Sequence, residues 1–253
     1  MSERTHRRSD LTGAASALAA NVVPLVNRRL PPRVSPEVIA AVLRAVRHPD
    51  PAAVDELIVA MRGGGVPPAA MVEHAIPAAA RLLGEEWCSD QASFAAVTIG
   101  CARLQAVLRA CVPEPDAAPA REGAMIVLRR GRQHALGAAV AAAQLRLSGI
   151  AAFLCAGRPD VEVADIARSG GHAFLALSLP AGSDFEAEAA FIRTLRRAAP
   201  RLPIVVGGGA IAGAEETSRI ALGADHATTD IREAARRCGL TVTPYASSTG
   251  TLG

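Results

Sequence analysis

Apolar positions recur at helical spacing through the first part of the chain, then give way to short apolar runs separated by longer amphipathic stretches. In the first part, Ser35-Pro36 opens SPEVIAAVLRAVRH, and Asp50-Pro51 opens DPAAVDELIVAMR, which the run Gly63-Gly64-Gly65 ends. A capping residue followed by proline starts a helix and glycine stops one, so each stretch predicts a helix. Pro67-Pro68 starts a third. Pro77 lies inside it and, lacking an N–H, is expected to bend or divide it before Trp87. After Asp90, the residues Phe94, Val97, Cys101, Leu104 and Leu108 predict a fourth helix. Helices in this succession predict a bundle.

The stretch PEPDAAPARE, residues 113–122, breaks the pattern with prolines and charges and marks a domain boundary. Beyond it come the apolar runs AMIVL (124–128), AAFLC (151–155), AFLALS (173–178), PIVVG (203–207) and ADHAT (224–228), with helical patterns between them. Strand and helix signals that alternate in this way predict an α/β domain built on a parallel, doubly wound sheet. The expected layout is an N-terminal extension over 1–34, partly disordered, and a helical domain over 35–112. A linker over 113–122, the sheet domain over 123–240 and a disordered tail over 241–253 complete it.

Composition narrows the function classes. Half of the 253 residues are apolar, only 3% are aromatic, and alanine is abundant, which suits closely packed helices. All positive side chains are arginines, yet the formal net charge is only +3, too mild to argue for nucleic-acid binding by composition. No apolar segment is expected to reach the ~20 residues that span a bilayer, and MSERTHRRSD has no apolar core of a secretory signal. A cytoplasmic protein without membrane association is the expectation. The five cysteines are scattered, with no metal-site spacing, and are read mostly as reduced, buried thiols.

The sharpest chemical signal is RGRQHALG, residues 130–137, directly after the first strand. Ligands of doubly wound sheets bind at the carboxyl ends of the strands, and His134 falls on the first such loop. It reads either as a polar loop residue or as a ligand. Gly137 lets a bulky group approach the following helix, while Ser178 ends the third strand and Gly207-Gly208-Gly209 end the fourth. Backbone without side chains there would leave a groove into the sheet edge for an elongated ligand. The segment GGGAIAG also satisfies a dinucleotide fingerprint formally, but that motif belongs after the first strand. Trp87 reads as a core residue or as a cover over a ligand. Cys88 and His74 are weak candidates to approach a metal from the cap side.

The order HxxG, Ser, GG, preceded by LLGEEWCSDQASFAAVTIGCARLQAVLR, resembles the cobalamin-binding region of methionine synthase and its relatives, over roughly residues 35–238. The resemblance implies a four-helix cap followed by a flavodoxin-like domain, with cobalamin between them. It implies His134 as lower axial cobalt ligand, with Arg132 and Gln133 beside it. The cofactor's nucleotide tail would lie in a groove lined by Gly137, Ser178, Gly207, Gly208 and Gly209, under a cap contributing Trp87, Val97 and Thr98. The chain departs from the family's DxHxxG at Arg132, where the missing carboxylate is expected to retune the cobalt bond and the guanidinium can face the cofactor phosphate. Val97-Thr98 stand where adenosylcobalamin photoreceptors carry Glu-His, which favours hydroxo- or aquocobalamin.

SFAAVTIGCARLQAVLR together with QHxLGA is similar to the AerR/PpaA antirepressors, which engage a CrtJ/PpsR-type repressor of photosynthesis genes. That resemblance implies a non-enzymatic, light- or cobalamin-responsive regulator that works through this partner and does not read DNA alone. A corrinoid methyl carrier for a methyltransferase has the same layout, and a haem sensor could also use one histidine as an axial ligand. Haem would leave the glycine-lined groove unexplained.

Overall fold

The computed structural model describes residues 34–113, 123–130 and 135–243. Four helices come first: α1 (Pro36–Arg47), α2 (Ala52–Gly63), α3, and α4 (Phe94–Cys111). Helix α3 runs through Pro68–Ala70, a π-helical turn at Met71–Ala75, and Ile76–Cys88. The π turn explains how the segment tolerates Pro77. Proline has no N–H to give to the carbonyl of Glu73, four residues earlier, so the helix widens there and does not break. Ser93 caps α4 by accepting a hydrogen bond from the Ala96 N–H at 3.2 Å.

Helix α4 corrects one expectation. Its 18 residues, mean hydropathy 1.3, are long and apolar enough to cross a membrane by length and composition. In the fold, Val97, Gly100, Leu104, Val107 and Leu108 form its buried stripe in the cap core.

The second half alternates strand and helix: β1 (Gly123–Leu128), α5 (Leu136–Leu147), β2 (Ala152–Ala156), α6 (Asp160–Ser169), β3 (His172–Ser178) and α7 (Phe185–Ala198). Then follow β4 (Ile204–Gly207), the short α8 (Gly209–Ala212) and α9 (Glu216–Ala221), β5 (His226–Ala227) and α10 (Ile231–Arg237). All pairings are parallel and the strand order is β2-β1-β3-β4-β5. This is the flavodoxin-like order, whose switch point lies between β1 and β3.

Both faces of the sheet are covered, so its strands read as apolar runs and not as alternating ones. Val163 and Ala164 of α6 pack with Phe191, Ile192 and Leu195 of α7 on one face. On the other, Ala138, Ala142 and Leu145 of α5 pack with Ala234 and Ala235 of α10 around the fully buried Phe174. Each large apolar side chain buried in this way contributes about 1.5–3 kcal/mol. Helix α5 also turns Leu136, Ala139, Val140 and Ala143 outward into the core of the cap. Cap and sheet therefore share a core through α5, although the sequence places a linker between them.

Candidate functional site

A groove with an empty volume of about 730 Å³, counting the part open to solvent, opens at the carboxyl ends of the strands. Its floor is Ile126 of β1, Ala176 to Ser178 of β3, Val205 and Gly207 of β4, then Gly208, Thr228 and Thr229 in the loops beyond. Its walls are Gly137, Ala138 and Ala141 of α5 on one side, with Ile231 and Ala234 of α10 on the other. The space exists because these positions are small. Four alanines and three glycines stand where larger side chains would fill it.

Gly137, Ser178, Gly207 and Gly208 are thus brought together as the sequence predicts. The last two glycines also have a packing reason. A Cβ on Gly207 would lie 2.7 Å from the Thr228 carbonyl oxygen, and one on Gly208 would lie 2.6 Å from that of Leu179. Gly208 also has φ +104°, which L side chains rarely adopt. The loops after β3 and β4 lock together here, with Leu179 N–H donating to Gly207 O at 2.7 Å and Ala210 N–H to Leu179 O at 3.1 Å. Gly209 does not line the groove; it is buried as the first residue of α8.

Arg132, Gln133 and His134 lie outside the described residues. The described residues just before them are well anchored. Arg129 follows β1 and donates to Asp160 at the start of α6 (Nε to Oδ1, 3.1 Å) and to Glu188 of α7 (Nη1 to Oε2, 3.1 Å). Its guanidinium stacks 4.6 Å above the Phe191 ring. The hydrogen bond to Asp160, opposed by burial, holds the guanidinium above its usual range.

On the cap, Trp87 is half-buried, with its ring 5.7 Å from that of Phe94. Phe94 and Ile99 are 41% and 51% exposed, so the first half of α4 presents an uncovered apolar face. The second half of α4 packs on α5. Val97 and Thr98, grouped by the sequence reading, part company in the fold. Val97 is 1% exposed, on the stripe that faces the cap core, which corrects its assignment to the ligand surface. Thr98 is exposed, and its hydroxyl donates to the Phe94 carbonyl at 2.8 Å.

Cys88 is exposed, and among the other cysteines burial pushes the Cys101 and Cys111 thiols up to about 11, so both stay protonated and inert. His74 sits in the π turn, where burial holds its imidazole below the usual value. Among the described residues, no group of three or more His, Cys, Asp or Glu side chains could hold a metal ion. The sequence reading missed Ala138, Ala141, Ala176, Thr228, Thr229 and Ile231. Gly137, Ala138 and Ala141 recur on one helix face, but in a chain this rich in alanine that spacing does not stand out.

No protein-family model matches the chain. It is 39% identical over 100 residues to an uncharacterized 20.5 kDa protein in the bchF-crtJ intergenic region of Rhodobacter capsulatus, a match covering 38% of this chain and 52% of the relative. The chain spans about half the length of the curated relative it matches. Among solved structures it is similar to the monomethylamine corrinoid protein of Methanosarcina barkeri, with TM-score 0.59 and 14% identity over 79% of this chain and 94% of that one. A cobalamin-binding protein from Desulfitobacterium hafniense DCB-2 matches at TM-score 0.41 and 18% identity, over 79% and 97% of the two chains. The first of these likenesses shows the fold alone, a parallel α/β sheet preceded by helices.

Proposed function

We propose that the chain binds a cobalamin and uses it as the signal-receiving group of a transcriptional regulator, without catalysing a reaction itself. The observation that carries the reading is the groove between α5 and α10. Most of its lining is apolar and small, while Ser178 and Thr229 bring hydroxyl-bearing side chains to it; the Thr228 hydroxyl is bonded to Glu233 and the Asp230 N–H. A heteroaromatic base joined to ribose and phosphate, as in the nucleotide tail of a cobalamin, has the same division into apolar and polar parts. The exposed apolar face of α4, with Trp87 and Phe94, suits a corrin macrocycle.

When bound, the corrin supplies a cobalt centre that absorbs visible light and exchanges its axial ligand. By the sequence resemblance His134 would ligate that cobalt, and Arg132, with Gln133 next to it in sequence, could pair with the cofactor phosphate. Hydroxo- or aquocobalamin is favoured over adenosylcobalamin because the Thr98 hydroxyl is already bonded to its own helix and Val97 is buried. Val97 offers no polar group, and the Thr98 hydroxyl, its proton given to Phe94, can only accept from an adenosyl sugar.

The regulatory half of the reading is supported by the relative encoded between bchF and crtJ. A CrtJ/PpsR-type repressor is the proposed partner, met in the cytoplasm, and photosynthesis genes are the proposed target. The second reading is a corrinoid methyl carrier, favoured by the fold shared with the monomethylamine corrinoid protein. Purified chain loaded with hydroxocobalamin separates the two. Recovery of the repressor that changes on illumination supports the regulator, and methyl transfer from a methylated donor with constant recovery supports the carrier.

A further inference from the structure

The two helices that wall the groove pack on each other directly, and one side chain from the cap bonds to both of them. Glu73, in the π turn of α3, accepts a hydrogen bond from Gln144 Nε2 of α5 at 3.2 Å. It also accepts from Arg232 of α10, through Nη1 at 3.0 Å and through Nη2 on its other oxygen. Arg232 Nε donates to Ser148 Oγ at the end of α5, 2.8 Å away. The Glu73 and Arg232 side chains are only 20% and 24% exposed, so this bidentate pair is partly desolvated and stronger than a surface pair.

The clasp lies about one turn beyond the groove on α5 and within the lining turn of α10. Ala141 precedes Gln144 on α5, and Ile231 and Ala234 flank Arg232 on α10. The groove floor is tied to the same turn of α10: Thr228 Oγ1 donates to Glu233 at 2.7 Å and accepts from the Asp230 N–H at 3.1 Å. A group that widens the gap between α5 and α10 would therefore work against the bonds to Glu73.

We propose that Glu73 is a clasp that sets the width of the groove and reports its occupation to the cap. The proposal rests on the reading that the groove takes the elongated tail of a cobalamin. Entry of the tail pushes α10 away from α5, lengthens the contacts to Glu73 and releases the π turn. Because coupling between two sites is reciprocal, releasing Glu73 must also ease entry into the groove. The π turn suits this role, since its widened hydrogen bonding is held open by Pro77 and can relax without unwinding the helix.

The test compares wild type, Glu73→Gln and the milder Gln144→Ala, all as full-length chain. Amide hydrogen exchange is measured without ligand, and hydroxocobalamin affinity by visible titration. Glu73→Gln is expected to speed exchange over residues 71–75 and 231–234, leave β2 and α6 unchanged, and tighten hydroxocobalamin about fivefold. Gln144→Ala should do the same to a smaller extent. Unchanged exchange at 231–234, or equal acceleration in β2 and α6, overturns the clasp whatever the cofactor does. Equal affinities of wild type and Glu73→Gln overturn the coupling. Wild type that takes up no hydroxocobalamin, with the exchange pattern as expected, overturns the functional reading and leaves the clasp supported.

Discussion

Arg129 and Glu188 form an ion pair between the end of β1 and helix α7, with Nη1 3.1 Å from Oε2 and the glutamate side chain only 1% exposed. Burying a carboxylate is costly, and the guanidinium contributes to offsetting that cost here. Arg129→Met is expected to destabilise the chain by about 3 kcal/mol, the scale of breaking a buried pair from one side. Urea unfolding followed by circular dichroism measures it. The double change Arg129→Met with Glu188→Met should recover most of the loss, and no recovery would place the role of Arg129 outside this pair.

The turn after β4 gives a second outcome. Gly208→Ala must relieve a 2.6 Å approach to the Leu179 carbonyl as well as a left-handed backbone, whereas Gly157 has φ +69° with nothing near its missing Cβ. The conformational penalty alone is about 1–2 kcal/mol. Gly208→Ala should therefore cost at least about 2 kcal/mol more than Gly157→Ala. Thermal melts of the two variants side by side decide it.

These positions show what the sequence could and could not tell. Helix starts were legible because Ser-Pro and Asp-Pro pairs act locally, and strands β1 to β4 fall within a residue or so of the apolar runs that predicted them. The run ADHAT shrinks to the two residues His226–Ala227, which pair with Val205 and Val206 of β4. Gly207 and Gly208 were found, but their packing against Thr228 and Leu179 was not, because it is made by loops distant in sequence. The same holds for Glu73 and Arg232, which lie 159 residues apart and bond directly only once cap and sheet have packed together. The π turn was foreshadowed by Pro77, whose effect was placed at the proline and falls one turn before it.

Burial holds the imidazoles of His74 and His172 below the ordinary histidine value; at His74 the neighbouring Glu73 opposes the shift and Arg232 adds to it. The unfolded chain then takes up these protons first as pH falls. Their contribution to stability is present in full above about pH 6.5 and is lost as pH drops from there toward the folded-state pKa values. The melting temperature is expected to fall between about pH 7.5 and pH 5.5. His74→Gln combined with His172→Gln should flatten that slope, and a slope unchanged by the pair would assign it to other groups.

A cobalamin in the groove between α5 and α10, as proposed above, is detectable in a single titration. Hydroxocobalamin is added to the purified chain while the visible spectrum and the fluorescence of Trp87, the sole tryptophan, are recorded together. Wild type is expected to shift the corrin bands saturably and to quench Trp87 in the same proportion. Ala141→Leu, which fills the groove from the α5 wall, should weaken binding about tenfold or more by steric overlap. His134→Ala should bind with a spectrum lacking the imidazole ligand. A wild-type chain that leaves the corrin spectrum and Trp87 fluorescence unchanged, or an Ala141→Leu chain that folds and binds as wild type does, would contradict the account.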